Sequence, residues 1–192
     1  TQPSFATISG SEHDFSSLAW NNSGQICIAC HTPHNATSAT IPLWHHKLTT
    51  STFTAYSSPS LNATVAQPSA SSLACLSCHD GTVAIDAFGA RTGTTFMTGS
   101  ERLGTDLSND HPVSFTYDAA LATADGGLNN PTVKTVASLG GKTVDAGMLI
   151  GHKLECASCH DVHNNKGDAP SGDHLLVVSN AHSALCLTCH NK

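Results

Sequence analysis

Cys27-Ile28-Ala29-Cys30-His31, Cys75-Leu76-Ser77-Cys78-His79, Cys156-Ala157-Ser158-Cys159-His160 and Cys186-Leu187-Thr188-Cys189-His190 decide how this chain reads. Together they use all eight cysteines, and each C-x-x-C pair is followed by histidine. C-x-x-C-H is the attachment signal for c-type haem. Two intervening residues put both sulfurs on one porphyrin edge, and the adjacent imidazole lies under the iron. With 13 histidines in 192 residues, chance places one after a given C-x-x-C about once in fifteen. Four of four is on the order of one in 50,000 against a plain C-x-x-C reading. A pair of Cys₄ zinc sites would use the same thiols but has no need of the four histidines. A disulfide framework shares the even cysteine count without preferring this motif. A thioredoxin-like redox pair would occur once, in a βαβ setting.

Four covalent haems in 192 residues leave about 48 residues for each. The expected fold is a multihaem cytochrome c with a haem-centred core, mostly loops, short α-helices around the motifs and at most a small β-hairpin. Aromatic content of 5% and charge of 11% agree, because porphyrin faces supply apolar surface. The formal charge of −6, made more acidic by haem propionates, and the lack of Lys/Arg runs argue against a nucleic-acid partner. No apolar stretch approaches the roughly 20 residues of a membrane span. Haem attachment to cysteine takes place outside the cytoplasm, so the chain reads as an exported product whose leader was removed before Thr1. Its place is extracellular or at the cell surface, with the periplasm as alternative. The sequons at Asn21, Asn35 and Asn62 suit a polar surface; glycosylation is left open.

The motifs repeat in pairs. Each half carries C-x-x-C-H-x-x-H, ending at His34 or His163, followed by a C-L-x-C-H element. Residues 1–110 form a first haem-pair module, 111–150 a connecting segment with small β-structure, and 151–192 a second module. Residues 69–80 and 181–191 read as short helices, capped by Ser71 or Ser72 and by Ser179 or Asn180. Pro42 is expected to open a helix over 41–50. The Ser/Thr/Pro-rich stretch 49–72 reads as a surface loop. Weak alternation at 113–117, 132–137 and 142–150, with turns at Asp125-Gly126-Gly127 and Gly140-Gly141, predicts a hairpin or meander.

His31, His79, His160 and His190 are the expected proximal iron ligands, and Cys27, Cys30, Cys75, Cys78, Cys156, Cys159, Cys186 and Cys189 the haem-binding thiols. The second axial ligands must come from nine further histidines, since Met97 and Met148 have no telling context. His34 and His163 lie three residues after a motif histidine. On a helical turn both would share its face, so each must reach a neighbouring haem. Of His45 and His46, about 100° apart on a helix, only one is expected to bind. His111 is aimed by Pro112, and His13 stands between two acids that can orient it. His152, His174 and His182 read as surface or propionate-contacting residues.

These stretches, together with Pro42-Leu43-Trp44-His45-His46-Lys47, Cys78-His79-Asp80-Gly81-Thr82 and Asn109-Asp110-His111-Pro112-Val113, resemble the doubled C-x-x-C-H multihaem cytochromes of metal-reducing bacteria such as Geobacter. Within that family the chain is most similar to extracellular tetrahaem cytochromes that polymerise. The resemblance implies haems in a continuous file, all bis-His. One histidine is donated by the neighbouring subunit, His13 or His34 by position. Carried over by motif, the distal set is His13, His34, His46, His111 and His163, with His46 preferred over His45. It further implies a homopolymeric conductive filament, or nanowire, serving extracellular electron transfer. Its redox partners would be other cytochromes or extracellular metal oxides. A soluble periplasmic tetrahaem shuttle is the alternative. A multihaem reductase would need an open iron and an anion-binding cluster, so no enzyme activity is expected.

Overall fold

A computed structural model describes residues 8–36, 38, 41–163 and 175–191. His174 and Lys192 lie outside them. The chain divides into two compact units. The first comprises Glu12–Tyr56 and Gln67–Pro112; the second comprises Ser57–Ala66 and Val113–Lys192, with Thr1–Ser11. The division at Pro112 falls near the expected end of the first module. Segment 111–150 is not a separate connector, however: from Val113 onward it belongs to the second unit and supplies most of its core.

The first unit is built around helix α1, Ala70–His79. Leu73 and Leu76, three apart on one face, pack with Phe53 and Leu107. Ser77 bonds back to the Leu73 carbonyl at 2.7 Å and accepts from the Thr49 N–H at 2.9 Å, which ties the extended chain beside it. The N-cap is Ser69 rather than Ser71 or Ser72, and its side chain makes no capping bond. The helix stops at Asp80 because Gly81 follows with φ of +73°, a conformation that favours glycine. The fully buried Asp80 carboxylate accepts from Thr49 Oγ1 at 2.6 Å and from Thr82 N at 2.6 Å.

The expected helix over 41–50 does not form. Leu43 takes φ of +52°, and the backbone is committed to neighbours a helix would forfeit. Thr32 N donates to Leu43 O at 2.8 Å, His45 N to Cys30 O at 2.8 Å and Lys47 N to Ala87 O at 2.9 Å. Stretch 49–69 does lack helix and strand, but Thr49 and Phe53 point inward and are buried. Gln67 holds the stretch in place, accepting from Phe53 N and donating to Phe53 O, both at 2.8 Å.

Asp86, buried in a turn of this unit, accepts from Thr94 N at 2.9 Å and Thr95 N at 2.8 Å, with Arg91 at 3.8 Å. Burial alone would raise its pKa. The donors of Thr95 and Thr94, its own N–H and the Arg91 charge outweigh that and hold it below the usual aspartate value. A depressed folded pKa gives stability that is complete above the unfolded value of about 3.9 and lost as pH falls through the lower one. Asp86→Asn should therefore lose less thermal stability on acidification below about pH 4 than the native protein. Parallel melting curves at pH 7 and pH 3 that keep the same separation would refute this.

The second unit holds all four strands described, as two antiparallel pairs. β1 (Phe115–Thr116) pairs with β4 (Lys153–Leu154), and β2 (Thr135–Val136) pairs with β3 (Lys142–Thr143). The hairpin around Gly140-Gly141 is as expected. The first strand instead finds a partner beyond residue 150, and the middle of 142–150 turns helical, as α3 (Val144–Gly147), capped by Thr143 Oγ1. Helix α2 (Ala119–Asp125) is capped by Asp118 and ends on Gly126 at φ +69°, the site of the expected turn. Phe115, Tyr117, Val136, Val144, Met148 and Leu154 fill the core with Val177 and Val178. Met148 is thus committed to packing. Two short helices carry the later motifs, α4 (Cys156–Cys159) and α5 (Ala184–Cys189). A 3-10 turn, Ala181–Ser183, precedes α5; its N-cap is Asn180, without a side-chain bond.

Candidate haem-binding sites

The four motifs share a local design. At its C-terminal exit each is met by a strap of main chain from elsewhere in its own unit. His31 bridges Trp44, His160 bridges Leu176, and His190 bridges Leu128. His79 O accepts from Leu103 N at 2.7 Å. The second cysteine's carbonyl is taken up likewise: Cys30 O by His45 N, Cys159 O by Val177 N, Cys189 O by Asn129 N. A helix end leaves its last carbonyls without partners, and the straps satisfy them while fixing the motif histidine.

The straps also set the ring. His31 Nδ1 donates to Pro42 O at 2.9 Å and His79 Nδ1 to Glu101 O at 2.7 Å. A ring that donates from Nδ1 turns the Nε2 lone pair outward, the arrangement metal-binding histidines adopt.

No two of the eight cysteines form a disulfide. The second cysteine of each motif is turned inward, and burial pushes its thiol up: Cys30 and Cys159 to about 11, Cys78 and Cys189 to about 12. The thiols also sense one another in pairs. Cys30 contributes to the rise at Cys78 in the first unit, and Cys159 to that at Cys189 in the second. Each unit therefore brings two motifs close together.

His13 and His79 face each other in the first unit with ring centroids 6.2 Å apart and planes at 49°. Two metal–imidazole bonds of about 2.0 Å, plus about 1.1 Å from nitrogen to ring centre on each side, span roughly 6.2 Å. The separation of the ring centroids equals that span. His13 is held there by an aromatic chain: Phe15 lies 6.0 Å from it, Trp20 5.7 Å from Phe15, and Phe88 5.9 Å from Trp20. Asp14 caps the turn Phe15–Ser17, accepting from Ser16 N at 3.1 Å. Asn21 anchors the following loop, donating to Phe15 O and Gln25 O. That sequon is buried at 5% exposure, so its amide is a structural clamp rather than a glycan carrier.

The other candidates separate by exposure. His46 is 1% exposed, with Nδ1 at 2.7 Å from Lys47 O and Nε2 at 3.0 Å from Ala84 O and 3.6 Å from Cys78 Sγ. Its Nε2 would have to leave Ala84 O to reach an iron. His45 packs on Phe88 at 5.8 Å. The pair is thus split between a buried and a partly buried setting in backbone that is not helical. His34, His111 and His163 are all exposed. His111 Nδ1 donates to Pro112 O at 3.0 Å. The expected helical turn after the motif histidine is absent at His160, where the chain leaves α4 in an extended conformation. At His34 the chain bends instead, with Thr32 Oγ1 on His34 O at 2.8 Å. His152 is a surface residue paired with Asp145 at 2.8 Å, and His182 is exposed at φ +54°.

Among the described residues no three His, Cys, Asp or Glu side chains converge on one point. A tetrahedral zinc requires such a cluster; a haem iron asks the protein for one imidazole on each face. The Nδ1 donors of His31 and His79, each spent on a main-chain carbonyl, are of the kind that fits an imidazole bound to iron through Nε2. Among the described residues, too, no helix is long and apolar enough to cross a membrane. Set against known proteins, the chain matches no family model, and no characterised protein matches it.

Proposed function

We propose that this chain carries four covalent c-type haems and serves long-range electron transfer, as the repeating subunit of an extracellular filament. The observation that carries the reading is the fourfold C-x-x-C-H motif using every cysteine, with His13 poised 6.2 Å across from His79. Bound haem would supply a one-electron iron couple. The protein's own part is positional. The cysteines anchor the porphyrin edge, the straps aim the proximal rings, and buried alanines such as Ala29, Ala74, Ala84 and Ala87 offer flat surface. The exposure of His34 suits donation to a second copy. The shuttle reading draws on the His13–His79 pair, which closes one coordination site inside a single chain.

Native protein should yield four haems per chain in the pyridine haemochrome assay, resistant to extraction by acidified solvent. Electron microscopy should then show filaments with a regular subunit repeat. Absence of covalent haem would end the reading. Four haems on dispersed monomers with every iron low-spin would favour the shuttle.

A further inference from the structure

We propose that Asn129 is the positioning residue of the fourth motif, an inference that rests on the four-haem reading. Helix α5 has six residues and then releases His190 into extended backbone at φ −90°, ψ 146°. So short an element cannot hold its own last turn rigid. At the other three motifs the strap meets the motif through the main chain. At the fourth, a side chain is added. Asn129 Nδ2 lies 3.3 Å from each of the carbonyls of Leu187, Thr188 and His190. Its backbone N–H donates to Cys189 O at 2.7 Å. One residue thus faces four successive carbonyls, its backbone N–H on one and its two amide hydrogens shared among the other three; they belong to the segment bearing both the inner thioether cysteine and the proximal histidine.

Asn129 is in turn buttressed by the core. Tyr117, 2% exposed, donates its hydroxyl to Asn129 O at 2.5 Å and lies 3.2 Å from Cys189 O. On the other flank Asn191 N donates to Gly127 O at 3.0 Å. The chemistry requires an amide. Aspartate has the same shape but would aim a carboxylate at carbonyl oxygens, and alanine leaves the carbonyls to water. Asn129 touches neither iron nor porphyrin in this scheme; it acts through Cys189 and His190.

The test uses the haem-loaded full chain and the variants Asn129→Ala and Asn129→Asp. Haem count, low-temperature electron paramagnetic resonance and a redox titration are recorded for each. One of the four low-spin signals and one of the four midpoint potentials should move, with the other three unchanged. Asn129→Ser, which retains a donor, should move the same signal less, and it replaces the alanine variant if that one does not fold. Val144→Ala, a fully buried core change in the same unit, serves as the control; it should lower the melting temperature and leave all four signals in place. Four unmoved signals in the folded Asn129 variants would overturn the proposal, as would the same signal moving in Val144→Ala. A native protein without haem would instead overturn the function proposed above.

Discussion

Replacing His13 with alanine is expected to turn one haem of the loaded protein high-spin, and that haem should be the one held by Cys75 and Cys78. The distance across the pair matches one iron between two imidazoles, and both rings are set before any metal arrives. His79 is fixed by its helix and by Glu101 O; His13 is fixed by Phe15, Trp20 and the Asp14 cap. A removed ligand cannot be replaced cheaply, because His46, the buried histidine of the same unit, has Nε2 on Ala84 O. The change should therefore be a full conversion of one haem in four, visible in the ligand-field bands and in resonance Raman spin-state markers. Histidine-to-alanine at His34 should behave differently, leaving the dispersed chain's His13–His79 haem untouched and acting on assembly. If His13→Ala leaves every haem low-spin, the in-chain pairing is wrong, and His13 returns to the donors between subunits. Cleavage of segment 12–25 by protease should quicken in the same variant, since the iron then no longer ties it to α1.

What the sequence made legible was chemistry at fixed spacing. The motif cysteines and histidines are adjacent in the chain, so the haem reading of them needs no tertiary information, and helices α1 and α5 lie over the two C-L-x-C-H motifs, where short helices are expected. The proposed pairing of a motif histidine with a second one is long-range: His13 and His79 are 66 positions apart (79 less 13), and no periodicity links them. The failures have physical causes. Pro42 signals a helix start, yet Leu43 at positive φ and three backbone bonds to Thr32, Cys30 and Ala87 override it. Asn129 could not be singled out, because its worth lies in three carbonyls that only the folded chain brings to it. The β-signal over 142–150 was weak because those residues divide between a strand of two residues and a helix of four. Tyr117, with no motif around it, is the hinge between core and fourth motif for the same reason.

Without haem, the two units should part company. Among the described residues, the second unit has ten buried hydrophobic side chains in one cluster and the first has three in its cluster. A fully buried aliphatic or aromatic side chain contributes about 1.5–3 kcal/mol, and about 1.4 kcal/mol is a factor of ten in an opening equilibrium. Much of the first unit's remaining buried apolar surface is alanine, at Ala29, Ala74, Ala84 and Ala87, which offers little burial of its own but suits the flat face of a porphyrin. Amide exchange on the chain produced without haem attachment should show near-complete loss of protection in 12–56 and 67–112. Amides around Tyr117, Val144 and Leu154 should keep protection more than about tenfold higher. Loading with haem should raise the first unit far more than the second. Equal protection of both units in the haem-free chain would mean that the first closes its core with side chains alone, and that porphyrin is carried on it rather than built into it.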